Sequence, residues 1–235
     1  MKAIKKNGMT LLLVAITASL FGQVSIGAKA GIYRSDISVQ GINNNILPAT
    51  QGITDISLGV VSEIIVGENF GFQPELNYEK SGFKISEGLD LNVFNIPLPV
   101  GVKAKTKVDY LSMPLLAKYK IGTGPVKGYV TAGPNFRYAL KGEVQTFATV
   151  LIDIPVFSQD INFSGENVNR LDVGGIIGAG VTFDSGPGQL FLDARYNHGF
   201  TQVDNFSFAD LKINNTGLGF NIGYMMPLKA KKIRA

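Results

Sequence analysis

The chain has 235 residues, of which 17% are charged and 45% hydrophobic, with 28 glycines and neither cysteine nor tryptophan. The lack of cysteine excludes a disulfide scaffold, a thiolate metal site and a lipid anchor on an N-terminal cysteine. The formal charge of +4 comes from the two ends of the chain, because seven cations lie within the first six and the last seven residues, and subtracting them leaves −3 for the body. We therefore expect no nucleic-acid partner.

Residues 1–22 have the pattern of a cleaved secretory signal peptide. Lys2, Lys5 and Lys6 form a basic start, and an apolar run follows from Met9 to about Gly22. The run is shorter than the roughly 20 residues that a membrane-spanning helix needs, and a small residue stands at the expected cleavage point. We predict export through this signal; the alternatives are an uncleaved anchor and a buried helix.

Alternation with a period of two begins directly after the signal. Val24 and Ile26 open an apolar row, and Ser25 and Gly27 open a small or polar row, which is the pattern of a β-strand. Similar segments follow at approximately 55–66, 69–80, 108–121, 126–141, 169–184, 189–200 and 213–228. Each is about as long as, or longer than, the 9–11 residues with which a tilted strand crosses a bilayer.

The connections between these segments alternate between short and long. Glycine-rich turns join the second to the third, the fourth to the fifth and the sixth to the seventh segment. Long connections are expected at 34–54, 81–107 and 142–168, with an intermediate one at 201–212. A membrane barrel sorts its short and long connections to opposite sides. We predict an all-β fold, an eight-stranded antiparallel up-and-down transmembrane β-barrel over residues 23–228, followed by a basic tail at 229–235.

Aromatic residues occupy both ends of the apolar face. Phe70 and Tyr119 lie beside short turns, whereas Tyr78, Tyr138 and Tyr196 lie toward the long connections. Two such belts are typical of the two interfaces of a bilayer. A soluble periplasmic lipocalin-like barrel that binds a small apolar ligand has the same periodicity with the apolar face inside, and it is the alternative.

The other face carries charges of both signs. In an eight-stranded barrel this face lines a lumen that is only wide enough for side chains, where charges must pair. We predict a structural charge network in the lumen; a proton or ion path, and hence a small pore, is the alternative. The members predicted for the charge network are Lys29, Glu63, Glu75, Lys118, Arg137, Asp172, Asp193 and Arg195. Alternation places Glu79, Lys120 and Arg170 on the same face.

No catalytic or cofactor motif emerges. Alternation along the strand places the one histidine, His198, on the outer face with Tyr196, and it places Asp193 and Asn197 on the opposite face. The pattern therefore pairs the histidine with no carboxylate or nucleophile. The glycines of GGIIGAGVTF lie within a strand and not in a phosphate-binding turn. We expect a protein that is not an enzyme and that has no cofactor and no metal.

Two of the long connections contain unusually apolar segments, at residues 89–103 and 147–158. Both include an Ile-Pro pair, at Ile96 and Ile154. Either these segments extend their hairpins above the membrane and pair with each other, or they dock a protein partner at the cell surface.

Several phrases, in order along nearly the whole mature chain, are similar to one family. They are FGFQPELNYEKSGFK, DYLSMPLLAKYKIG, GYVTAGPNFRYAL, DVGGIIGAGVTF, LFLDARYNHGF and GLGFNIGYMMPL. They resemble the PorT-like outer-membrane β-barrel proteins of Bacteroidetes-type bacteria. The resemblance implies an eight-stranded barrel of OmpA/OmpX type in the outer membrane of a Gram-negative cell, inserted by the outer-membrane assembly machinery. One member type is linked to protein secretion. The chain departs from a typical barrel by ending in KAKKIRA after the last strand instead of in an aromatic residue.

Overall fold

The structure, a computed structural model, describes residues 23–40, 50–93, 96–149, 153–161, 170–201 and 212–228. The predicted signal peptide and basic tail lie outside these ranges, and both stay predictions. No helix in the described part of the chain is long and apolar enough to cross a membrane.

Within the described ranges the chain forms nine antiparallel strands. They are β1 (Val24–Gln40), β2 (Thr50–Val66), β3 (Phe70–Val93), β4 (Ile96–Ile121), β5 (Val126–Thr149), β6 (Asp153–Asp160), β7 (Leu171–Ser185), β8 (Gly188–Gly199) and β9 (Lys212–Pro227). All of them except β6 close one barrel, because β4 pairs with β5, β5 with β7, and β9 with β1. The predicted eight-stranded antiparallel barrel is confirmed.

The three short turns lie where the sequence predicts them, at one end of the barrel. Gly67, Gly122, Gly124 and Gly186 have positive φ angles of 78°, 101°, 96° and 59°. This left-handed backbone region is costly for residues with a Cβ, so glycine permits the tight reversal between strands.

The strands at the other end are longer than predicted. The expected loop at 81–107 is mostly a hairpin, since β3 and β4 pair from Phe70 and Tyr119 out to Val93 and Ile96. Likewise β1 runs to Gln40, β2 starts at Thr50, and β5 runs to Thr149. The segment at 142–168, expected as a loop, contains the end of β5 and all of β6. A continuous ladder satisfies backbone N–H and C=O groups that a loop leaves to other partners, and interrupted alternation hid this from the sequence pattern.

The barrel wall is apolar outside and largely polar inside. Ile32, Leu58 and Ile177 are more than half exposed on the outer surface, and an apolar surface of this extent is not stable in water. The predicted aromatic belts are exposed as well, at Phe70 and Tyr119 near the turns and at Tyr78, Tyr138 and Tyr196 near the opposite rim. This arrangement contradicts the soluble alternative, which requires the apolar face inside.

One part of the lumen is apolar, which the sequence pattern did not indicate. Val61, Tyr129, Phe191 and Met225 form a buried cluster on the strand segments next to the short turns. Gly223 makes room for it, because a Cβ at this position would lie 2.3 Å from the ring of Phe191. The turn end of the barrel is thus closed by packed side chains.

Candidate functional site in the lumen and the extended hairpins

The described part of the lumen buries equal numbers of basic and acidic side chains. They are Lys29, Lys118, Lys120, Arg137 and Arg195 on one side and Glu63, Glu75, Glu79, Asp172 and Asp193 on the other. All eight residues predicted for the network are among them. A buried charge is tolerated only with a partner, so the balance of five against five matters for folding.

The group nearest the short turns is centred on Glu63. Its carboxylate accepts hydrogen bonds from Lys118, at 3.0 Å, and lies 2.5 Å from the ammonium of Lys120. The Lys118 ammonium also lies 4.1 Å from the centre of the Tyr129 ring, a favourable cation–π contact. This group joins β2, β4 and β5.

The central group spans the lumen. Glu75 lies between Lys29, at 2.6 Å, and Arg195, at 2.8 Å. Arg195 also binds Asp193 at 2.6 Å. Tyr129 donates a hydrogen bond to the same aspartate at 2.9 Å. The contacts therefore connect β1, β3, β5 and β8 through the middle of the barrel.

The third group lies toward the extended hairpins. Arg137 forms an ion pair with Asp172, which also accepts a hydrogen bond from Asn215 at 2.9 Å. The Arg137 guanidinium lies 4.9 Å from the centre of the Tyr110 ring. The uncharged members of these groups, Tyr110, Tyr129 and Asn215, were not identified from the sequence, although alternation along their strands places them on the inner face.

The prediction that Arg170 shares the lumen face is wrong. Arg170 precedes β7 and donates a hydrogen bond at 3.4 Å to the hydroxyl of Tyr138, an outward-facing residue of the rim. The strand parity on which that prediction rests ends at Leu171, where β7 begins.

Between the central group and the third group, which contains Arg137, lies a small cavity of about 30 Å³. Its lining includes the polar residues Tyr33, Glu79, Asn135 and Asn197 and the apolar residues Pro114 and Ile176. This volume suits one or two water molecules and is too small for a solute. Ion pairs cross the described lumen at successive levels, around Glu63, Glu75 and Asp172.

His198 lies in a row of rings outside the lumen. Its ring stacks on Tyr196 at 6.4 Å and meets Phe200 edge-on at 5.7 Å. The outward parity predicted for His198 is thereby confirmed. Nowhere in the described ranges do three or more His, Cys, Asp or Glu residues group as metal ligands.

Beyond the rim, β3, β4, β5 and β6 continue as a four-stranded sheet that we call the platform, residues 80–93, 96–109, 141–149 and 153–160. The two apolar segments meet in it, since Gly101 pairs with Thr149 and Lys103 with Phe147. Of the two alternatives for these segments, pairing with each other is confirmed for the backbone at residues 101–103 and 147–149. Glu143 on β5 accepts a hydrogen bond at 2.6 Å from Ser158 of β6, which connects the two strands, and one at 2.8 Å from Gln145 on its own strand.

The sequence profile of the outer membrane protein beta-barrel domain matches residues 17–205. Among solved structures, the outer membrane protein OprG of Pseudomonas aeruginosa is 12% identical with a TM-score of 0.50, over 89% of this chain and 97% of that one. Ail of Yersinia pestis is 13% identical with a TM-score of 0.40, over 87% and 99%. Neisserial surface protein A is 15% identical with a TM-score of 0.38, over 84% and 95%. No curated protein sequence matches the chain significantly. At these identities the similarity to solved structures concerns the fold alone.

Proposed function

Because the chain belongs to the outer membrane protein beta-barrel domain family, we propose that it is a non-enzymatic integral barrel whose platform binds another component of the cell envelope. The barrel anchors the chain in the outer membrane, and its lumen is occupied by paired charges. The regions proposed for binding are therefore 81–107 and 142–168, whose described parts belong to the platform.

The observation that carries this proposal is the platform itself. A barrel that served only as an anchor needs no hydrogen-bonded sheet above its rim, yet the β3–β4 ladder continues through Val93 and Ile96. At the edge of the platform, Val156 and Phe157 are 65% and 56% exposed. Exposed apolar residues on a projecting edge strand favour contact with a partner, which can add its own strand to that edge.

A hairpin-shortened variant tests the proposal. Ser86 and Lys103 face each other across β3 and β4, so replacing residues 87–102 by Asn-Gly closes a two-residue turn in register. A photo-crosslinker at Phe157, in intact cells, should capture a discrete partner in the native protein and lose it in this variant. The barrel should still be inserted, because the ladder below residue 86 is untouched.

The matched control shortens only the tip. Replacing residues 91–98 by Asn-Gly preserves the pairing of Asp90 with Pro99 and of Gly101 with Thr149, and it should keep the crosslink. If the crosslinked partner is the same in both variants, or is also captured from Gln189 beside a short turn, the platform is not the binding surface.

The PorT-like resemblance supports a narrower role for the same surface, that of an accessory to protein secretion. In that case deletion of the gene removes specific exported proteins from the culture medium, and the hairpin-shortened variant does not restore them. Insertion by the outer-membrane assembly machinery belongs to the same expectation. A small pore is the less favoured function, because the lumen is filled.

A further inference from the structure

A row of lysines continues the lipid-facing surface of β3 and β4 past the rim. Lys80 and Lys84 lie an even number of positions from Tyr78 on β3, and Lys105 and Lys107 lie an even number of positions from Leu111 on β4. Tyr78 and Leu111 are both 38% exposed on the outer wall. Side chains that alternate along a strand keep their face, so the lysines stand directly above the apolar band.

Two of these lysines oppose each other. The register pairs Lys84 directly with Lys105, and like charges in this position destabilise an antiparallel pair. Their next cross-strand neighbours are Gln51 and Gln145, which are uncharged. Nothing in that cross-strand row balances the two charges.

The two lysines nearer the rim, Lys80 and Lys107, have carboxylates beside them. Lys107 lies 3.3 Å from Asp55 and pairs across strands with Glu143, and Lys80 is paired across strands with Asp109. At Lys105 the pKa is lowered, by partial burial first and then by Lys107 and Lys84, while the opposing effect of Asp55 is smaller. The positive potential is therefore concentrated around Lys84 and Lys105.

The height of this pair matches a headgroup layer. Lys84 lies six positions beyond Tyr78, about 20 Å along the strand and roughly 15 Å in height at the usual tilt. An apolar band of about 25 Å measured from Phe70 ends about 5 Å above Tyr78. The pair thus lies about 10 Å beyond the apolar band, from where long lysine side chains can reach back to the headgroups.

We propose that Lys84 and Lys105 bind the phosphate group of an anionic lipid headgroup in the leaflet on the platform side. Lysine is a common phosphate ligand, and one phosphate between the two ammonium groups removes their repulsion. The site is separate from the platform edge and does not depend on the proposed function.

Amine-reactive pulse labelling, read by peptide mass spectrometry, tests the site in the full chain. The protein is placed in nanodiscs of phosphatidylcholine, of phosphatidylcholine with phosphatidic acid, or of phosphatidylcholine with inorganic phosphate in solution. Phosphatidic acid should slow the labelling of Lys84 and Lys105 severalfold and leave Lys141, which lies 3.4 Å from Asp160, unchanged. This arm uses the native sequence and needs no variant to fold.

The second measurement is the amount of phosphatidic acid that co-purifies with the protein. Lys84→Gln and Lys105→Gln should each lower the bound lipid about fivefold, the effect of one lysine near an anionic surface. Lys141→Gln should leave the amount of bound lipid unchanged. Equal protection by inorganic phosphate would overturn the lipid as the source of the phosphate. An absence of protection in all nanodiscs, or an equal loss of lipid in Lys141→Gln, would overturn the site.

Discussion

At the scale of single residues, the barrel depends on carboxylates that are shared between cations. Glu75 is the clearest case, because it alone stands between Lys29 on β1 and Arg195 on β8, both buried. The desolvation of three charged groups is offset only while all of them are present. Replacement of the central one therefore costs more than an exposed ion pair contributes.

We expect Glu75→Gln to destabilise the barrel by about 3–5 kcal/mol, because it leaves the buried ammonium of Lys29 facing a neutral amide, while Arg195 keeps its pair with Asp193. The measurement is the urea midpoint of unfolding in detergent micelles, followed by circular dichroism. Glu68→Gln, at an exposed position of the β2–β3 turn, is the control and should unfold like the native protein. An unchanged midpoint for Glu75→Gln would refute a structural role for the network.

At the scale of elements, β6 is held differently from the barrel strands. It pairs with β5 over Glu143 to Thr149, and side chains reinforce this pairing through Glu143. The hydrogen bond from Ser158, and then the one from Gln145, hold the pKa of Glu143 below its ordinary value of 4.5. A lowered folded-state pKa means that the interaction stabilises pairing above pH 4.5 and is lost as the pH falls through the folded value.

We therefore expect the amides of β6 to lose protection against hydrogen exchange when the pH falls from neutral to well below 4.5, because the Glu143 carboxylate becomes protonated only below that ordinary value. Protection factors corrected for intrinsic exchange are the readout, with the amides of β8 as internal reference. In Glu143→Gln the β6 protection should be lower at neutral pH and independent of pH. If the pH dependence persists in this variant, another group controls the pairing.

At the scale of the whole molecule, closure and filling of the barrel have separate consequences. The strand order returns from β9 to β1, so each wall strand has two neighbours and no edge within the membrane. The lumen is crossed by ion pairs from the turn end to the rim. The first property predicts resistance to detergent, and the second predicts low conductance.

For the native protein we expect unboiled and boiled samples to migrate differently on detergent gels, because a closed barrel unfolds only on heating. In planar bilayers the purified protein should show no steady single-channel current, under conditions in which an open porin conducts. Steady currents would show that the lumen opens. A single mobility, together with protein in the soluble periplasmic fraction, would contradict the membrane barrel.

What the sequence by itself determined is local. The alternation that starts at Val24 and Ser25 assigns the two faces, and glycines such as Gly67 and Gly186 mark the short turns, because both signals depend on neighbouring residues only. From these alone follow the number of barrel strands, the position of the charges together on one face and the sorting of connections, whereas the aromatic belts indicate that the charged face is the inner one. The parity argument held for His198 and failed at Arg170, which lies just outside a strand.

Only the tertiary structure decided which groups meet. Glu75 and Arg195 are 120 positions apart, and their contact depends on the registers of all the strands between them, which no local pattern encodes. The same holds for the platform, where strand pairing between 101–109 and 141–149 replaced the expected loops, and for the ring of Phe191 packing over Gly223. Periodicity assigns a side chain to a face, whereas closure of the barrel sets the distances across the lumen and thereby the partners.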